Sequence, residues 1–259
     1  MKWKTIRRVW ITFGIIATIL FNGWMLFSSR AQGFDKRILA SDERVRVREN
    51  SEEIVFEPVG GRAPAGLIFF PGGMVDPEAY APLTRAVAEE GYEAVILKLP
   101  FRRAFLESQE MEVVERARGL MERDRGSRGW VVAGHSRGGV IACRVAATHP
   151  SLPAALVLIG TSHPVDRDLS GLRFPVTKIY AMNDGLATVQ EVEANRGNLP
   201  ASTRWVRIEG GNHGQFGWYG RQLGDGKATI SREEQQARTV EVLLGALREI
   251  SGKMLRDDR

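Results

Sequence analysis

The run Trp130-Val131-Val132-Ala133-Gly134-His135-Ser136-Arg137-Gly138-Gly139 decides the fold of this 259-residue chain. Its first four residues are apolar and read as a short strand buried on both faces. From Arg137 to about residue 149 the pattern reads as a helix. Between the two stands Gly-x-Ser-x-Gly. A chain passing from strand to helix over so few residues must bend sharply, which lifts the Ser136 hydroxyl above the sheet. The residues two before and two after the serine then crowd one another. Gly134 and Gly138, the elbow glycines, bring no Cβ into that crowding.

Outward from this elbow, strands and helices alternate. Leu67-Ile68-Phe69-Phe70, Val95-Ile96-Leu97, and residues 155–159, 176–180 and 205–208 read as further short strands. Helical patterns separate them. One is opened by Asp76 as cap and Pro77 in its first turn, and carries Tyr80, Leu83, Val87 and Ala88 on one face. Another spans 111–123 with Met111, Val114 and Met121 inward. A short one covers 189–196. The last is opened by Ser231 with Glu234 three residues on, a capping box. Arg44-Val45-Arg46-Val47-Arg48 alternates as an edge strand does, and Ile54-Val55-Phe56 pairs with it antiparallel. The expectation is an α/β fold: a mostly parallel central sheet with helices on both faces.

Composition narrows the class. Hydrophobic residues are 43% and charged residues 26% of the chain, which excludes disorder and a polytopic membrane protein. One cysteine, Cys143, excludes an intramolecular disulfide framework and a Cys-based zinc cluster. Residues 1–37 hold seven Lys or Arg and one acid, whereas the rest holds 29 basic and 30 acidic residues. The positive charge therefore belongs to the N-terminus, and no nucleic-acid partner is expected.

Residues 9–27 carry no formal charge. As a helix at ~1.5 Å per residue they span roughly 28 Å, close to the ~30 Å hydrocarbon core of a bilayer. Trp3 and Trp10 stand at one end and Trp24 at the other, where amphipathic rings favour the interface. Four basic residues precede the run and Arg30 follows it, which keeps the N-terminus cytoplasmic. Residues 1–30 are expected to be a signal anchor, 31–43 a linker and 44–259 the folded domain. That arrangement makes the protein single-pass, with its domain on the non-cytoplasmic side. A cleaved signal peptide, with Ser29-Arg30-Ala31 as the site, would release the domain instead. The length of the run and its bulky tryptophans favour the anchor over both this and a buried core helix.

Ligands of such sheets bind beyond the carboxyl ends of the strands, so the residues after each strand are the candidates. A serine hydroxyl at neutral pH needs a base within hydrogen-bond reach, and the base needs an orienting carboxylate. His213 lies in Gly210-Gly211-Asn212-His213-Gly214, whose glycines let the loop carry the imidazole across; His163 is the fallback. His135 adjoins the serine, but the elbow geometry points its side chain elsewhere. Asp184, in Met182-Asn183-Asp184-Gly185, follows the strand at 176–180 and stands between serine and histidine in chain order. Asp166 and Asp225 are weaker candidates. An oxyanion hole needs two backbone N–H groups. One is that of Arg137; the other comes from Pro71-Gly72-Gly73-Met74, with Gly73 and Met74 both open.

These residues in this order resemble the α/β-hydrolase superfamily. Three stretches resemble its fold-5 branch in particular: Pro71-Gly72-Gly73-Met74-Val75-Asp76-Pro77 with Tyr80, the elbow at 134–139, and Gly210-Gly211-Asn212-His213-Gly214-Gln215-Phe216-Gly217-Trp218-Tyr219-Gly220 continuing to Gln222, Gly224 and Asp225. The resemblance covers about residues 63–250. It implies the α/β-hydrolase fold with Ser136 as nucleophile, His213 as base and Asp184 as orienting acid. It implies no particular substrate.

The chemistry expected is hydrolysis of a small-molecule carboxylic ester or related acyl bond through an acyl-enzyme, with no metal and no organic cofactor. A peptidase, a thioesterase, or a membrane-tethered binding protein without catalysis are the alternatives. Arg137, Arg102 and Arg103 depart from the branch; facing the mouth, they would favour an anionic substrate. Residues 161–174, where this fold often carries a cap, are too few for one, so an open site with little burial of a long acyl chain is expected.

Overall fold

The computed structural model describes residues 2–61, 63–124 and 128–257. An apolar helix α1 (Lys2–Ser28) leads into the domain. Strands β1 (Val45–Glu49) and β2 (Glu53–Pro58) come next, then β3 (Ala65–Phe70), α2 (Ala81–Glu89), β4 (Glu93–Leu97), α3 (Glu107–Arg123) and β5 (Gly129–His135). After the elbow follow α4 (Arg137–Thr148), β6 (Ala155–Ile159), β7 (Val176–Ala181), α5 (Val189–Ala194), β8 (Arg204–Ile208) and α6 (Arg232–Asp257).

The eight strands form one sheet in the order β1-β2-β4-β3-β5-β6-β7-β8. β1 and β2 pair antiparallel at one edge, and β2 runs antiparallel to β4. From β4 to β8 every pairing is parallel. Because side chains alternate along a strand, neighbours such as Val131 and Val132 feed opposite cores. One core joins Leu67, Phe69, Val131 and Val157 to Leu83 and Val87 of α2 and Leu243 and Leu247 of α6. The other joins Ile68, Val132 and Leu156 to Val113 and Val114 of α3 and Ile141 and Cys143 of α4. Helices thus cover both faces, and the central strands are continuous apolar runs for that reason.

One local expectation is overturned. Asp76 makes no capping hydrogen bond, and a 3-10 turn, Pro77–Tyr80, stands between it and α2. Its carboxylate instead accepts the Ala31 N–H at 3.0 Å through Oδ2 and pairs with Arg102 at 2.6 Å through Oδ1. A guanidinium and a free amide together outcompete the weaker bond to a helix terminus.

Most of α1, from Ile6 to Ser28, is long and apolar enough to cross a membrane, and its apolar side chains are exposed. Its last residue, Ser28, is buried against the domain. The Ser28 hydroxyl donates to the Arg221 carbonyl, and the Ser28 carbonyl accepts the Gly220 N–H at 2.7 Å. Residues 31–43 lie against the domain: Gln32 N–H donates to the Trp218 carbonyl at 2.9 Å, and buried Arg85 bonds the carbonyls of Ile38 and Ala40 and the carboxylate of Asp42.

Candidate active site

The elbow connects β5 directly to α4, and Ser136 sits at φ 53°, ψ −116°. A non-glycine residue in that region is strained. The surroundings leave no relief: a Cβ on Gly134 would overlap the Gly138 carbonyl, and one on Gly138 would overlap the Phe70 carbonyl of β3. Ser136 itself is half-buried. Its helix, α4, begins at Arg137, whose backbone N–H is one of the unpaired donors of a first turn.

His213 and Asp184 come together from the loops after β8 and β7. His213 Nδ1 lies 2.9 Å from Asp184 Oδ2, with both side chains buried. The other Asp184 oxygen accepts the N–H groups of Leu186 at 2.8 Å and Ala187 at 2.7 Å. These three contacts hold the carboxylate in place, and an Nδ1–H of His213 directed at it leaves Nε2 as the ring nitrogen on the other side. The His213 ring packs 4.5 Å, centroid to centroid, from the ring of His135, the residue before the elbow serine.

Asp225 has a different part from the one weighed for it. Its Oδ1 accepts His213 N–H at 3.1 Å and Gly185 N–H at 3.4 Å, and its Oδ2 accepts Gly214 N–H at 2.8 Å. It braces the backbone of both loops. His163 and Asp166 remain in the loop after β6, 3.6 Å apart, and Arg167 holds the Asp166 carboxyl at about 2.

A second network, not anticipated from the sequence, stiffens the floor. The buried Tyr80 hydroxyl accepts Gly72 N–H at 3.0 Å and meets His135 Nδ1 at 2.8 Å. Burial raises the Tyr80 phenol and pushes the His135 imidazole well below the usual histidine range, with His213 adding a smaller push the same way. Burial thus disfavours a charged His135, and its Nδ1 and the Tyr80 hydroxyl share one hydrogen bond. Tyr80 stands in the Gly-rich segment already singled out, but its partner lies 55 positions away, which no local pattern reveals.

The loop after β3 approaches the elbow closely. A Cβ on Gly73 would lie 3.1 Å from the Cβ of Arg137. Met74 N–H donates to the Arg102 carbonyl at 2.7 Å. The arginines expected to charge the mouth are mostly engaged. Arg137 pairs with Glu110 and donates to the carbonyls of Arg103 at 3.2 Å and Ala104 at 2.9 Å. Arg102 is paired with Asp76, while Arg103 stays exposed beside the Phe105 ring. Of the three arginines weighed as mouth cations, Arg137 and Arg102 are thus held by the carboxylates of Glu110 and Asp76.

No helix or strand lies between β6 and β7. A cavity of about 340 Å³ opens between Trp24, Met25 and Leu26 of the last turns of α1 and Gly73, Met74 and Leu186 of the loops after β3 and β7, with Ser136 and His213 outside its lining. Among the described residues no group of three or more His, Cys, Asp or Glu side chains is placed to hold a metal ion.

Known proteins match this architecture. A ferulic acid esterase from Streptomyces cinnamoneus superposes with a TM-score of 0.59 at 18% identity, covering 74% of this chain and 68% of its own. Est1E from Butyrivibrio proteoclasticus gives 0.57 at 11%, covering 80% and 100%. XC6422 from Xanthomonas campestris, described as a serine hydrolase without lid, gives 0.53 at 15%, covering 81% and 96%. Among curated protein sequences none matches. At such identities these structures speak to the fold. The sequence model of the alpha/beta hydrolase family, however, matches residues 66–237, most of the domain, and the chain belongs to that family.

Proposed function

We propose that this protein is a serine hydrolase that cleaves a carboxylic ester, or a related acyl bond, through an acyl-enzyme on Ser136. The observation that carries this reading is the buried His213–Asp184 pair at 2.9 Å, stacked against the residue that precedes a strained elbow serine. Asp184 holds His213 in the tautomer whose Nε2 accepts the Ser136 proton as Oγ attacks the carbonyl carbon. The tetrahedral oxyanion rests on the backbone N–H groups of Arg137 and Gly73. Met74 is the weaker donor because its N–H is already given to Arg102. The imidazolium then protonates the leaving alcohol as the C–O bond breaks. A water enters, loses its proton to His213 and attacks the acyl-enzyme, releasing the acid and restoring the Ser136 hydroxyl.

The helix α1 is read as a signal anchor, with basic residues ahead of it holding the N-terminus in the cytoplasm and the domain on the other side. A fluorophosphonate probe tests the chemistry. The intact chain becomes labelled and turns over a short-chain nitrophenyl ester, whereas Ser136→Ala does neither and keeps its melting temperature. A wild-type chain that resists the probe, or a Ser136→Ala variant with undiminished turnover, rejects the proposal in favour of a binding protein.

A further inference from the structure

α1 is not an appendage on a tether. Its last residues are hydrogen-bonded into the loops that make the catalytic face: Ser28 to Gly220 and Arg221, the Ser29 carbonyl to Asp76 N–H at 3.0 Å, and Ala31 N–H to the Asp76 carboxylate. Asp76 in turn holds Arg102. The cavity over Gly73 and Met74 is walled by Asn22, Trp24, Met25 and Leu26. These are the turns of α1 that lie at the bilayer interface when the helix spans it, since Trp24 favours that depth and Arg30 is the first charge beyond.

The domain surface around this junction is apolar where a soluble mouth would be polar. Phe101 is 76% exposed, Leu223 69%, Leu106 61% and Phe105 59%. All four lie on loops at the carboxyl edge of the sheet, on the side of Arg102 or of Arg221. Exposed Arg30, Arg103 and Arg221 stand among them. Apolar side chains interspersed with exposed arginines, continuous with a membrane-length helix, form the pattern of a surface that inserts among anionic headgroups.

We propose that the catalytic face is seated on the bilayer that holds α1, and that the substrate is an acyl ester carried in that bilayer. This rests on the serine hydrolase reading and gives it a substrate class. The ester carbonyl of a glycerolipid lies at the boundary between headgroup and hydrocarbon, the depth of the mouth. An acyl chain can then pass from the lipid along α1 to the oxyanion loop without crossing water. The absent cap is explained: bilayer and helix do its work of excluding solvent.

The test uses the full chain in vesicles of diether phosphatidylcholine and phosphatidylglycerol, which contain no ester, doped with monooleoylglycerol. Two readouts are taken. In the first, Phe101→Cys and, separately, Val59→Cys carry a bimane label, with quencher-bearing lipids in the vesicle. Val59 directly follows β2, at the end of the sheet opposite the strap after β4, and is 50% exposed. Cys143 does not compete, because burial hides it and pushes its thiol up to about 12. Quenching at 101 and not at 59 supports seating on the membrane; equal quenching, or a dimer that shields 101 from lipid, overturns it.

The second readout compares hydrolysis of monooleoylglycerol with that of a water-soluble nitrophenyl butyrate. The variant Phe101→Asp with Leu106→Asp removes apolar area at sites that accept Asp: Phe101 has φ 50°, and Leu106 is the N-cap of α3. It is expected to lose about ten-fold on the embedded ester while the soluble ester stays within about two-fold. Equal losses on both substrates, or none on either, overturn the lipid assignment. If the parent hydrolyses neither ester, the hydrolase reading fails, and with it the substrate class; quenching at 101 still reports on seating alone.

Discussion

Two stretches of strained backbone meet above the sheet, and they are held in opposite ways. At the elbow, Ser136 has φ 53° and is locked by main chain packed on main chain, Gly138 against the Phe70 carbonyl and Gly134 against Gly138. In the strap after β4, Phe101, Arg102 and Ala104 also have positive φ, at 50°, 59° and 53°. There hydrogen bonds do the holding, from Arg137 to the carbonyls of 103 and 104 and from Met74 N–H to the Arg102 carbonyl, with Asp76 paired to Arg102. The His213 loop belongs to the second kind, braced by the Asp225 carboxylate. Packing of backbone tolerates no change, whereas a brace of hydrogen bonds is lost in increments. Ser136 is fixed by the first means and the loops around it by the second.

The contrast breaks most severely at the elbow glycines. Gly134→Ala or Gly138→Ala is expected to cost more than about 4 kcal/mol, since backbone must move to admit the methyl group. Soluble yield and denaturant unfolding measure it; a folded, active Gly138→Ala would show that the elbow is not locked as described. Asp225→Ala comes next. It leaves three backbone N–H groups without their acceptor. Turnover should fall on the order of 100-fold through misplacement of His213, with stability lower by about 2 kcal/mol. Asp225→Asn, which keeps one acceptor oxygen, should recover part of both.

Arg137→Met tests the strap. The guanidinium leaves, but the backbone N–H at 137 stays, and Glu110 retains Arg144 at 3.1 Å. The expected loss is about 2 kcal/mol in thermal unfolding. kcat/KM should drop only a few-fold, because the strap and not the nucleophile is loosened. A drop as large as that of Ser136→Ala would mean that the side chain itself contacts substrate.

The smallest effect expected is one of pH. His135 is held neutral by burial, its pKa well below the ordinary value. Unfolding frees it to bind a proton at about 6.5. Stability from this group is therefore complete above that pH and declines as the pH falls below it, because the unfolded chain takes up a proton that the native one does not. Melting temperatures measured from neutral pH downward should fall more gently in His135→Gln; identical slopes would remove His135 from the account.

The elements were legible, and Asp184 and His213 could be singled out as a pair, because each depends on its neighbours in sequence. Apolar runs mark buried strands, glycines mark the elbow, and a loop after a strand brings its side chain to the carboxyl edge. Asp76 was misread for the same reason in reverse: Asp followed by Pro is a good local cap, and nothing nearby announces Ala31 and Arg102 as rivals. The arginines could not be sorted either, since a free cation and one paired with Glu110 look alike in sequence.

By itself, then, the sequence determined the parallel sheet, the apolar first helix and the order of serine, aspartate and histidine, all properties of short windows and of chain order. Tertiary structure alone decided which arginines are paired, that Tyr80 meets His135, that Asp225 braces the His213 loop, and that the end of α1 is bonded into the domain. Those outcomes depend on contacts between residues tens to nearly two hundred positions apart, such as Ser28 with Arg221. Geometry and competition among partners select such contacts, and no local pattern records either.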